Sequence, residues 1–382
     1  MKLTLEALAE RGHEIVVAFP GEPPRAGEAP AGVQVVRVEE KRRPWAAASL
    51  AGLARGLPAS ALRHASPALE REVRGLMKGS PDVVFAEQLQ ALPACASAFE
   101  RRVPVVLRAQ NVESDLWAAR ASSASRGRLL LRWEGKKMAA WEATAIRRCA
   151  GTIALTAPDA ARLRELAGPS RPIAAIPAPF PGELAAGEVS LPGSPAVVVF
   201  GSSGWWANVE GATWFAERIW PGIFRTFPAA RLHLFGLSPG GAPPPGAFLH
   251  DAPMDSRAVF APGSVFVVPL RSGSGVRMKI LEAWARGAPV LATPAAAAGL
   301  EESSGLLVAS DPASFEAAFR RLQEENDLRG KLVADGRATL ARFHDPLSVA
   351  RATEKFALGV AARNQGAGGE AGSIGTDRPS SA

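Results

Sequence analysis

Cysteine and long apolar runs are both scarce in this sequence. The two cysteines, Cys95 and Cys149, lack metal-ligand spacing and are too few for a disulfide framework. No apolar run approaches the roughly 20 residues that span a bilayer. The N-terminal stretch MKLTLEALAERGHE carries charges where a secretory signal needs an apolar core. We therefore expect a cytoplasmic protein that holds no metal and crosses no membrane.

Motifs for nucleic-acid recognition are missing as well. The formal net charge is +7 and the pI is near 10, a balance that suits phosphate-bearing substrates, nucleic acid or an anionic membrane face. No RNA-binding aromatic motif, zinc finger or helix-turn-helix signature accompanies the basic residues. Nucleic acid is therefore not expected as a partner.

What the sequence does contain is an alternation of short Val-rich runs with stretches of helical period. Such alternation predicts an α/β fold with parallel sheets covered by helices, and 382 residues are enough for two such domains. The predicted strands are 14–19, 33–38, 82–85, 104–107 and 151–155 in the first half, and 196–200, 231–235, 265–269, 289–291 and 305–308 in the second. The predicted helices include 3–10, 127–149, 158–167, 208–226 and 278–286.

The two halves are separated by IPAPFPGELAAGEVSLPGSP, a stretch predicted to be a linker because proline cannot pair in a strand ladder. The expected units are a doubly wound domain over 1–178, the linker over 179–195, a second doubly wound domain over 196–344, a helix over 345–364 and a disordered tail over 365–382. The first predicted element is a helix, whereas a doubly wound domain normally opens with a central strand. Either the sequence starts downstream of that strand or the N-terminal domain lacks it, and the first explanation is favoured.

Two loops in the second half follow predicted strands, at the sheet edge where open parallel sheets bind ligands. Residues 201–204, GSSG, are small enough to let a ligand or the facing domain approach, although a plain turn explains them equally well. Residues 271–275 hold two glycines and two serines and lead into a helix expected to open at about Val276. Free N–H groups at a helix N-terminus favour a phosphate. Arg277 and Lys279 oppose the helix dipole by roughly 0.3–1 kcal/mol each, a conflict that a bound pyrophosphate would resolve.

Glu282 lies nearly two turns into the same helix, where its carboxylate could accept hydrogen bonds from ribose hydroxyls. A surface ion pair with Lys279, three residues earlier, is the plainer interpretation. Met278, Leu281 and Ala285 are expected to form the buried stripe of this helix.

The segment 274–290 resembles the donor-site signature of GT-B glycosyltransferases, specifically the retaining group known as family four. That signature begins Glu-Gly-Phe-Gly, has a second Glu after four more residues, and closes with Gly-x-Pro-Val. The corresponding positions are 274–277, Glu282 and 287–290, and the match is close to the GGGTRLKILEA variant of the family. The stretches GSSGWWANVEGATWF at 201–215 and RAQNVE at 108–113 resemble the same branch, and the likeness extends from Leu3 to about Phe356.

The resemblance implies two Rossmann-like domains that face a cleft, with a nucleotide-diphosphate sugar on the C-terminal domain and the acceptor on the N-terminal domain. Helix 345–364 is expected to cross back to the first domain. The implied activity is retaining, hexosyl-type transfer without metal or cofactor, because basic side chains and helix N-termini stabilise the leaving pyrophosphate. The expected acceptor is a cell-surface glycan or a lipid-linked molecule, with peripheral contact at the inner membrane face as an option. The donor is assigned to Gly201, Ser202, Ser274, Gly275, Val276, Arg277, Lys279 and Glu282, and catalysis to Gln110 and Glu282.

Several positions depart from the family pattern. Ser274 replaces the first Glu, and Ser203 and Asn208 stand where Arg and Lys are common. Gln110 stands where the branch often has His, and a glutamine can form hydrogen bonds but cannot act as a base. Two alternatives therefore stay open: a catalytically degenerate nucleotide-sugar-binding subunit, and a nucleotide-sugar epimerase of the same fold, whose acidic and His cleft residues are missing here.

Three further residues, Glu87, Asn111 and Glu113, are expected at the cleft on the acceptor side. Trp205 and Trp206 either stack on a sugar or base or pack in the core. The stretch 42–63 mixes Trp, Leu and Arg. We interpret it as a helical insertion that covers the sheet rather than as a helix resting on a membrane.

Overall fold

The structure is a computed structural model that describes residues 1–21, 29–40, 43–124, 126–168, 171–238 and 242–370, the last six by their backbone alone. The chain forms an α/β protein in which every strand pairing in the described residues is parallel. Two Rossmann-like halves follow one another along the chain, as the strand–helix alternation predicts.

The N-terminal half carries six strands and eight helices in its described residues. Its strands are β1 (Val16–Pro20), β2 (Gln34–Val38), β3 (Val84–Glu87), β4 (Val105–Ala109), β5 (Gly151–Ala154) and β6 (Ile173–Ala175). Its helices are α1 (Lys2–Glu10), α2 (Trp45–Arg55), α3 (Ala59–His64), α4 (Pro67–Leu76), α5 (Ala96–Glu100), α6 (Glu113–Ser123), α7 (Arg128–Arg148) and α8 (Ala157–Ala167), with 3₁₀ turns at Met77–Gly79 and Leu89–Cys95.

The strands of this half lie in two separate sheets. β3, β4, β5 and β6 pair in chain order, while β1 and β2 pair only with each other. The order of elements begins with α1, so no strand precedes the first helix in the described residues. β4 and β5 are buried along their whole length, which is typical of parallel strands covered on both faces.

The C-terminal half begins after residues 176–195, which contain neither helix nor strand. Its strands are β7 (Ala196–Phe200), β8 (Arg231–Phe235), β9 (Ala247–His250), β10 (Val265–Val268), β11 (Val290–Ala292) and β12 (Leu306–Val308). Its helices are α9 (Trp206–Trp214), α10 (Trp220–Thr226), α11 (Met278–Ala285), α12 (Pro294–Ala297), α13 (Pro312–Glu324), α14 (Leu328–Phe343) and α15 (Pro346–Glu370). A π-helical turn at Phe215–Ile219 and a 3₁₀ turn at Ser256–Val259 complete the half.

The six strands of the C-terminal sheet stand in the order β12-β11-β10-β7-β8-β9. The chain therefore winds outward from the centre in both directions, and β7 and β10 are the neighbours at which the direction reverses. Alternate residues of β7 enter two different cores: Val198 packs on one face of the sheet, and Val197 and Val199 pack on the other. In open α/β sheets the crevice for ligands opens beyond the carboxyl ends of the strands at this reversal.

The last helix, α15, packs against the N-terminal half. Val360 and Phe356 lie so close to Gly151 in β5 that a Cβ there would be within 3.0 Å of both side chains. Glu354 accepts hydrogen bonds from Arg11 at 2.5 Å and pairs with His13 at 2.7 Å, which fixes α15 beside α1. The helix includes residues 365–370 of the stretch expected to be disordered, and residues 371–382 lie outside the described part of the chain.

The remaining differences from the predicted elements are local. β6 and β9 have no counterpart among the predicted strands. The helix predicted over 208–226 is interrupted by the π-helical turn, which separates α9 from α10. α11 begins at Met278 rather than at Val276, so Arg277 is its N-cap residue and lies outside the first turn.

Candidate active site

The two loops predicted to bind the donor follow β7 and β10, the strands between which the sheet order reverses. In the first loop a Cβ on Gly201 would come within 2.7 Å of the Asn208 side chain, so only glycine fits. Ser203 fixes the loop from the other side, since its hydroxyl donates to Gly236 O at 2.9 Å and accepts from Ser238 N at 3.1 Å. The loop therefore has a defined shape beside the N-terminus of α11.

Lys279 joins the two loops. Its ammonium donates to the Phe200 carbonyl at 2.8 Å and to Asn208 Oδ1 at 3.0 Å. No carboxylate pairs with it in the described residues. The pKa of Lys279 is lowered to about 8 by burial and, to a smaller extent, by the neighbouring charge of Arg277. The plainer interpretation of Lys279 as the partner of Glu282 is wrong, because the two side chains bind different groups.

Arg277 is the second cation of the site and is buried, with 7% of its surface exposed. Its guanidinium donates to the Ser274 carbonyl at 2.7 Å and lies over the Trp205 ring, 5.7 Å from the centroid. Its Nε has no hydrogen-bond partner among the described residues. Burial lowers the pKa of Arg277, while the charge of Asp159 acts in the opposite direction. An incompletely satisfied buried cation at a helix N-terminus is a site prepared for an anion.

The loop between β10 and α11 also reaches across to the N-terminal half. Ser274 Oγ accepts from the backbone N–H of Val112 at 3.1 Å, and Gly275 N–H donates to Asp159 Oδ2 at 2.9 Å. Gly275 has a φ of +77°, and a Cβ there would collide with the Gln110 carbonyl oxygen. This glycine is therefore required both by its backbone conformation and by the contact between the halves.

Asn111 belongs to the same contact. In the orientation that satisfies its hydrogen bonds, its amide donates to the Ser274 carbonyl at 3.0 Å. Val276 is buried in the core of the C-terminal half, so its side chain packs there and is not available to a ligand.

Glu282 lies deeper along α11 and is bound by two side chains. Its Oε1 accepts from Ser256 Oγ at 2.6 Å and from Arg286 Nε at 2.9 Å. The carboxylate is therefore held in one orientation beside the loop that follows β9. Met278, expected in the buried stripe, is 43% exposed, whereas Leu281 and Ala285 are buried as predicted.

The facing wall comes from the carboxyl ends of β3 and β4. Gln88 follows β3 with a φ of +73°, an uncommon conformation for a residue with a side chain. Its amide donates to Gln110 Oε1 at 2.9 Å, which leaves the Gln110 amide N–H groups available to a substrate. Beneath them Glu87 Oε1 pairs with Arg108 at 3.3 Å, while Glu87 Oε2 and Arg108 Nε lack partners among the described residues.

Glu113, the last predicted cleft residue, begins α6. Its backbone N–H donates to Glu142 Oε1 at 2.8 Å, and the Glu142 carboxylate also binds Ser114. Burial raises the pKa values of both carboxyl groups, and the hydrogen bond with Gln90 opposes the shift at Glu113. Glu142 thus caps α6 from the buried side and holds the helix at the edge of the cleft.

The structure brings together most of the residues that the sequence pointed to. The contact between the halves joins Gln110 and Asn111 to Ser274 and Gly275, and Lys279 connects the first loop to α11. Sequence reasoning missed Asp159, Gln88 and Ser256. Asp159 carries the one usable signal, because Thr156 and Asp159 start a helix directly after β5, on the cleft side of the sheet.

No group of three or more His, Cys, Asp or Glu side chains in the described residues is arranged to hold a metal ion. Across the same residues, no helix combines the length and the apolar composition that a membrane span requires.

Comparisons with known proteins match the chain in both halves. Residues 2–179 match the family model described as a glycosyl transferase 4-like domain, and residues 194–325 match the model described as glycosyl transferases group 1. No match is found among curated protein sequences.

Solved structures with a similar fold include three that align over nearly all of the chain. Sucrose-phosphate synthase from Thermosynechococcus elongatus has a TM-score of 0.68 at 14% identity, over 94% of this chain and 92% of its own. HepE from Anabaena, solved with UDP and glucose, has a TM-score of 0.63 at 13% identity, over 93% and 95% of the two chains. A glycosyltransferase from Rickettsia africae has a TM-score of 0.59 at 9% identity, over 94% of each chain. Identities this low establish the fold alone, which is GT-B. With a glycosyl transferase 4-like domain followed by a group 1 domain on that fold, the chain is a glycosyltransferase of the GT-B type.

Proposed function

We propose that this glycosyltransferase moves a hexosyl group from a nucleoside-diphosphate sugar to a glycan or lipid-linked acceptor, with retention of configuration and without a metal. The observation that carries the proposal is the pair of cations at the reversal point of the C-terminal sheet. Arg277 is buried and Lys279 is partly buried, and in the described residues neither has a carboxylate in ion-pair contact. A diphosphate supplies the negative charge that this arrangement lacks.

In this proposal the diphosphate occupies the space between residues 201–204 and the N-terminus of α11. Gly201, Ser202 and Gly275 line it with small side chains and backbone groups. Lys279 and Arg277 stabilise the charge that develops on the leaving diphosphate, which is the contribution a divalent ion makes in metal-dependent enzymes. Solved structures of HepE hold UDP and UDP-glucose, so UDP-sugars are the first donors to test.

Glu282 is assigned to the ribose. Ser256 and Arg286 occupy Oε1 of the carboxylate, so Oε2 remains for the ribose hydroxyls. Because its neighbours hold the Glu282 side chain in one rotamer, that side chain loses little conformational entropy when the ligand binds.

We assign the acceptor to the facing wall, with Glu87, Asn111 and Glu113 on the acceptor side and Gln110 at the transferred sugar. Gln88 orients the Gln110 amide so that its N–H groups point away from Gln88. Gln110 then acts as a hydrogen-bond donor to the transferred sugar rather than as a base. Retention of configuration rests on the resemblance of the segment 274–290 to retaining enzymes.

The proposal is tested by incubating the folded protein with a panel of isotope-labelled nucleotide sugars and with lipid and oligosaccharide acceptors. We expect label transfer by the wild-type protein, a loss of at least tenfold for Lys279→Met, and no change for Lys331→Met, an exposed lysine on α14. Failure of the folded protein to bind any nucleoside diphosphate would refute the proposal.

One alternative has a specific observation behind it. Ser274 occupies the position of the usual first Glu and uses its hydroxyl to bind Val112 N–H, so no carboxylate is supplied there. A nucleotide-sugar-binding subunit without activity would bind donor in a separate binding measurement while neither transferring nor hydrolysing it.

A further inference from the structure

A cavity of about 320 Å³ lies at the edge of the C-terminal sheet opposite to the donor loops. It is lined by residues 261–264 and 286–289, the turns that lead into β10 and β11. The donor loops follow the carboxyl ends of β7 and β10, so the full length of the strands separates them from the cavity. Its volume is at the lower end of the roughly 300–1,000 Å³ that small-molecule sites enclose. We refer to this space as the β10–β11 cavity.

One wall of the β10–β11 cavity is the linker between the halves, which contributes Ala186. Backbone hydrogen bonds on either side of Ala186 fix this wall. Leu184 N–H donates to the Ala285 carbonyl at 2.9 Å. Gly187 N–H donates to the Phe260 carbonyl at 2.9 Å. The linker is therefore held against the C-terminal half, and the cavity has a defined shape.

Another wall is the start of α14, from which Arg329, Gly330 and Val333 line the cavity. This helix is 16 residues long, and the side chain of its N-cap residue, Asp327, makes no capping hydrogen bond. The first N–H groups of a helix have no partner within the helix, and together with the helix dipole they favour an anion. The start of α14 therefore adds positive potential to the cavity.

Two arginine side chains line the β10–β11 cavity, and no acidic side chain of the described residues lines it with them. Arg329 donates to the Leu322 carbonyl at 2.8 Å and to the Gly263 carbonyl at 3.3 Å, and in the described part of the chain no carboxylate forms an ion pair with it. Burial lowers the pKa of Arg329. The second cation, Arg286, has a side chain that is only 11% exposed. Cations that are partly withdrawn from water and face a cavity without carboxylates favour an anionic ligand.

We infer that the β10–β11 cavity binds a small phosphomonoester, held between Arg286 and Arg329 at the N-terminus of α14. A phosphate group brings about two negative charges and three acceptor oxygens, and planar guanidinium groups bind such oxygens through paired hydrogen bonds. Pro262, Pro289 and Val333 give the cavity apolar walls, against which the carbon skeleton of a small sugar phosphate can pack. Free phosphate would use the charged part of the cavity alone.

Arg286 connects the β10–β11 cavity to the donor site, and in this respect the inference rests on the proposed function. Its Nε donates to Glu282 Oε1 at 2.9 Å, and Glu282 is the carboxylate assigned to the ribose. A phosphate in the cavity attracts the same guanidinium and thereby weakens its hold on Glu282. Each ligand then lowers the affinity for the other, because a coupling between two binding sites is reciprocal. The phosphomonoester would act as an inhibitor from outside the cleft.

The test is calorimetric titration of full-length Lys279→Met with inorganic phosphate and, separately, with ribose 5-phosphate, in the absence of nucleotide. This background lacks a cation of the donor loops, so the outcome does not depend on donor binding. We expect phosphate to bind, and Arg329→Gln in the same background to bind it at least roughly tenfold more weakly, because a charge-assisted contact is lost. The matched control is Arg342→Gln, which removes an exposed arginine from the same helix and should leave binding unchanged. Tighter binding of ribose 5-phosphate than of phosphate would identify the ligand as a sugar phosphate, and equal binding would identify it as free phosphate.

A second variant, Gly330→Asp, tests the cavity without removing a side chain that supports the fold. A Cβ on Gly330 would meet no atom within 4 Å, and an aspartate in the first turn of a helix is favourable. We therefore expect Gly330→Asp to melt at a higher temperature than its parent and to lose phosphate binding. Absence of phosphate binding by Lys279→Met, or binding that neither Arg329→Gln nor Gly330→Asp weakens, would overturn the inference.

The coupling to the donor site is measured with UDP in otherwise wild-type protein. Saturating phosphate should weaken UDP binding about fivefold more in the wild type than in Arg329→Gln, because direct competition at the donor loops is the same in both proteins. Equal weakening in the two proteins would refute the coupling through Arg286. If neither protein binds UDP, the proposed function fails, while the phosphate titrations still decide whether the cavity is a binding site.

Discussion

Replacing Lys279 with Met should make the protein more stable while it weakens donor binding. The ammonium group is partly buried, and its pKa is lowered from 10.5 to about 8. At about 1.4 kcal/mol for each pKa unit, keeping this group charged in the fold costs up to about 3 kcal/mol. Methionine has a similar shape and no charge, so it removes that cost but also gives up the hydrogen bonds to Phe200 and Asn208, about 1 kcal/mol each.

The sign of the pH dependence separates these two contributions. Below pH 8 the lysine is charged in both the folded and the unfolded wild type, and the full cost is present. Between pH 8 and 10.5 the folded state binds fewer protons than the unfolded state, so the wild type gains stability relative to Lys279→Met as the pH rises. The lost hydrogen bonds do not titrate, and they shift the whole difference by a constant.

Urea unfolding of both proteins at several pH values between 7.5 and 10.5 measures this difference. We expect the free energy of unfolding of the wild type to rise relative to Lys279→Met by about 1–3 kcal/mol over that range, with the lower value applying if solvent screens the partly buried ammonium. Lys331→Met should show no such change. A stability difference between the two proteins that is constant with pH would refute the claim that the charged Lys279 ammonium destabilises the fold in the absence of ligand.

Three further predictions concern other parts of the structure. Gly275→Ala places a Cβ against the Gln110 carbonyl in a conformation that costs a side chain roughly 1–3 kcal/mol, so we expect sugar transfer to fall more than tenfold while circular dichroism remains that of a folded protein; unchanged transfer would contradict the contact between the halves. Glu282→Gln should weaken binding of UDP by roughly tenfold and binding of inorganic pyrophosphate not at all, because a hydrogen bond to a charged group contributes about 1.5–3 kcal/mol. His233 and His250 share a hydrogen bond at 2.9 Å, and burial lowers the pKa of both. The free energy of unfolding should therefore decrease as the pH falls below 6.5, and it should decrease less steeply in His233→Gln. An equal slope in the two proteins would show that this pair does not titrate as described.

The regular elements of the C-terminal half could be predicted because their strands are buried on both faces. β7 lies where a continuous apolar run predicts it, and β8 lies where apolar residues alternate with Arg231 and His233. β9 was missed because it is an outer strand of the sheet with two exposed central residues, so it lacks the apolar signal. β6 has only three residues and follows a proline, so its sequence is too short to show the periodicity of a strand.

The donor loops could be predicted for a different reason. Glycine and serine between a strand and a helix indicate a site from local sequence alone, and the strand order then places both loops at one point of the sheet. The facing wall offered no such signal. The contacts of Gly275 with Asp159 and of Ser274 with Val112 join residues 116 and 162 positions apart in the chain. Only the docking of the two halves creates them, and no local propensity encodes it.

The helix boundary at α11 shows how a small error in the sequence prediction changes the chemistry. With the helix starting at Met278, Arg277 is released from the first turn and folds back onto Ser274 and Trp205. Arg277 still lies at the positive end of the helix dipole, but its guanidinium becomes part of the loop. Lys279 remains in the first turn and reaches the first loop instead.

The central claim is that the loops after β7 and β10 hold a diphosphate through Lys279 and Arg277. Calorimetric titration of the wild type and of Lys279→Met with UDP and with uridine tests it most directly. We predict that the wild type binds UDP at least roughly a hundredfold more tightly than uridine, because two charge-assisted hydrogen bonds supply a difference of that size. Lys279→Met should lose most of this difference. Equal affinity of the wild type for UDP and uridine, or an undiminished preference for UDP in Lys279→Met, would contradict it.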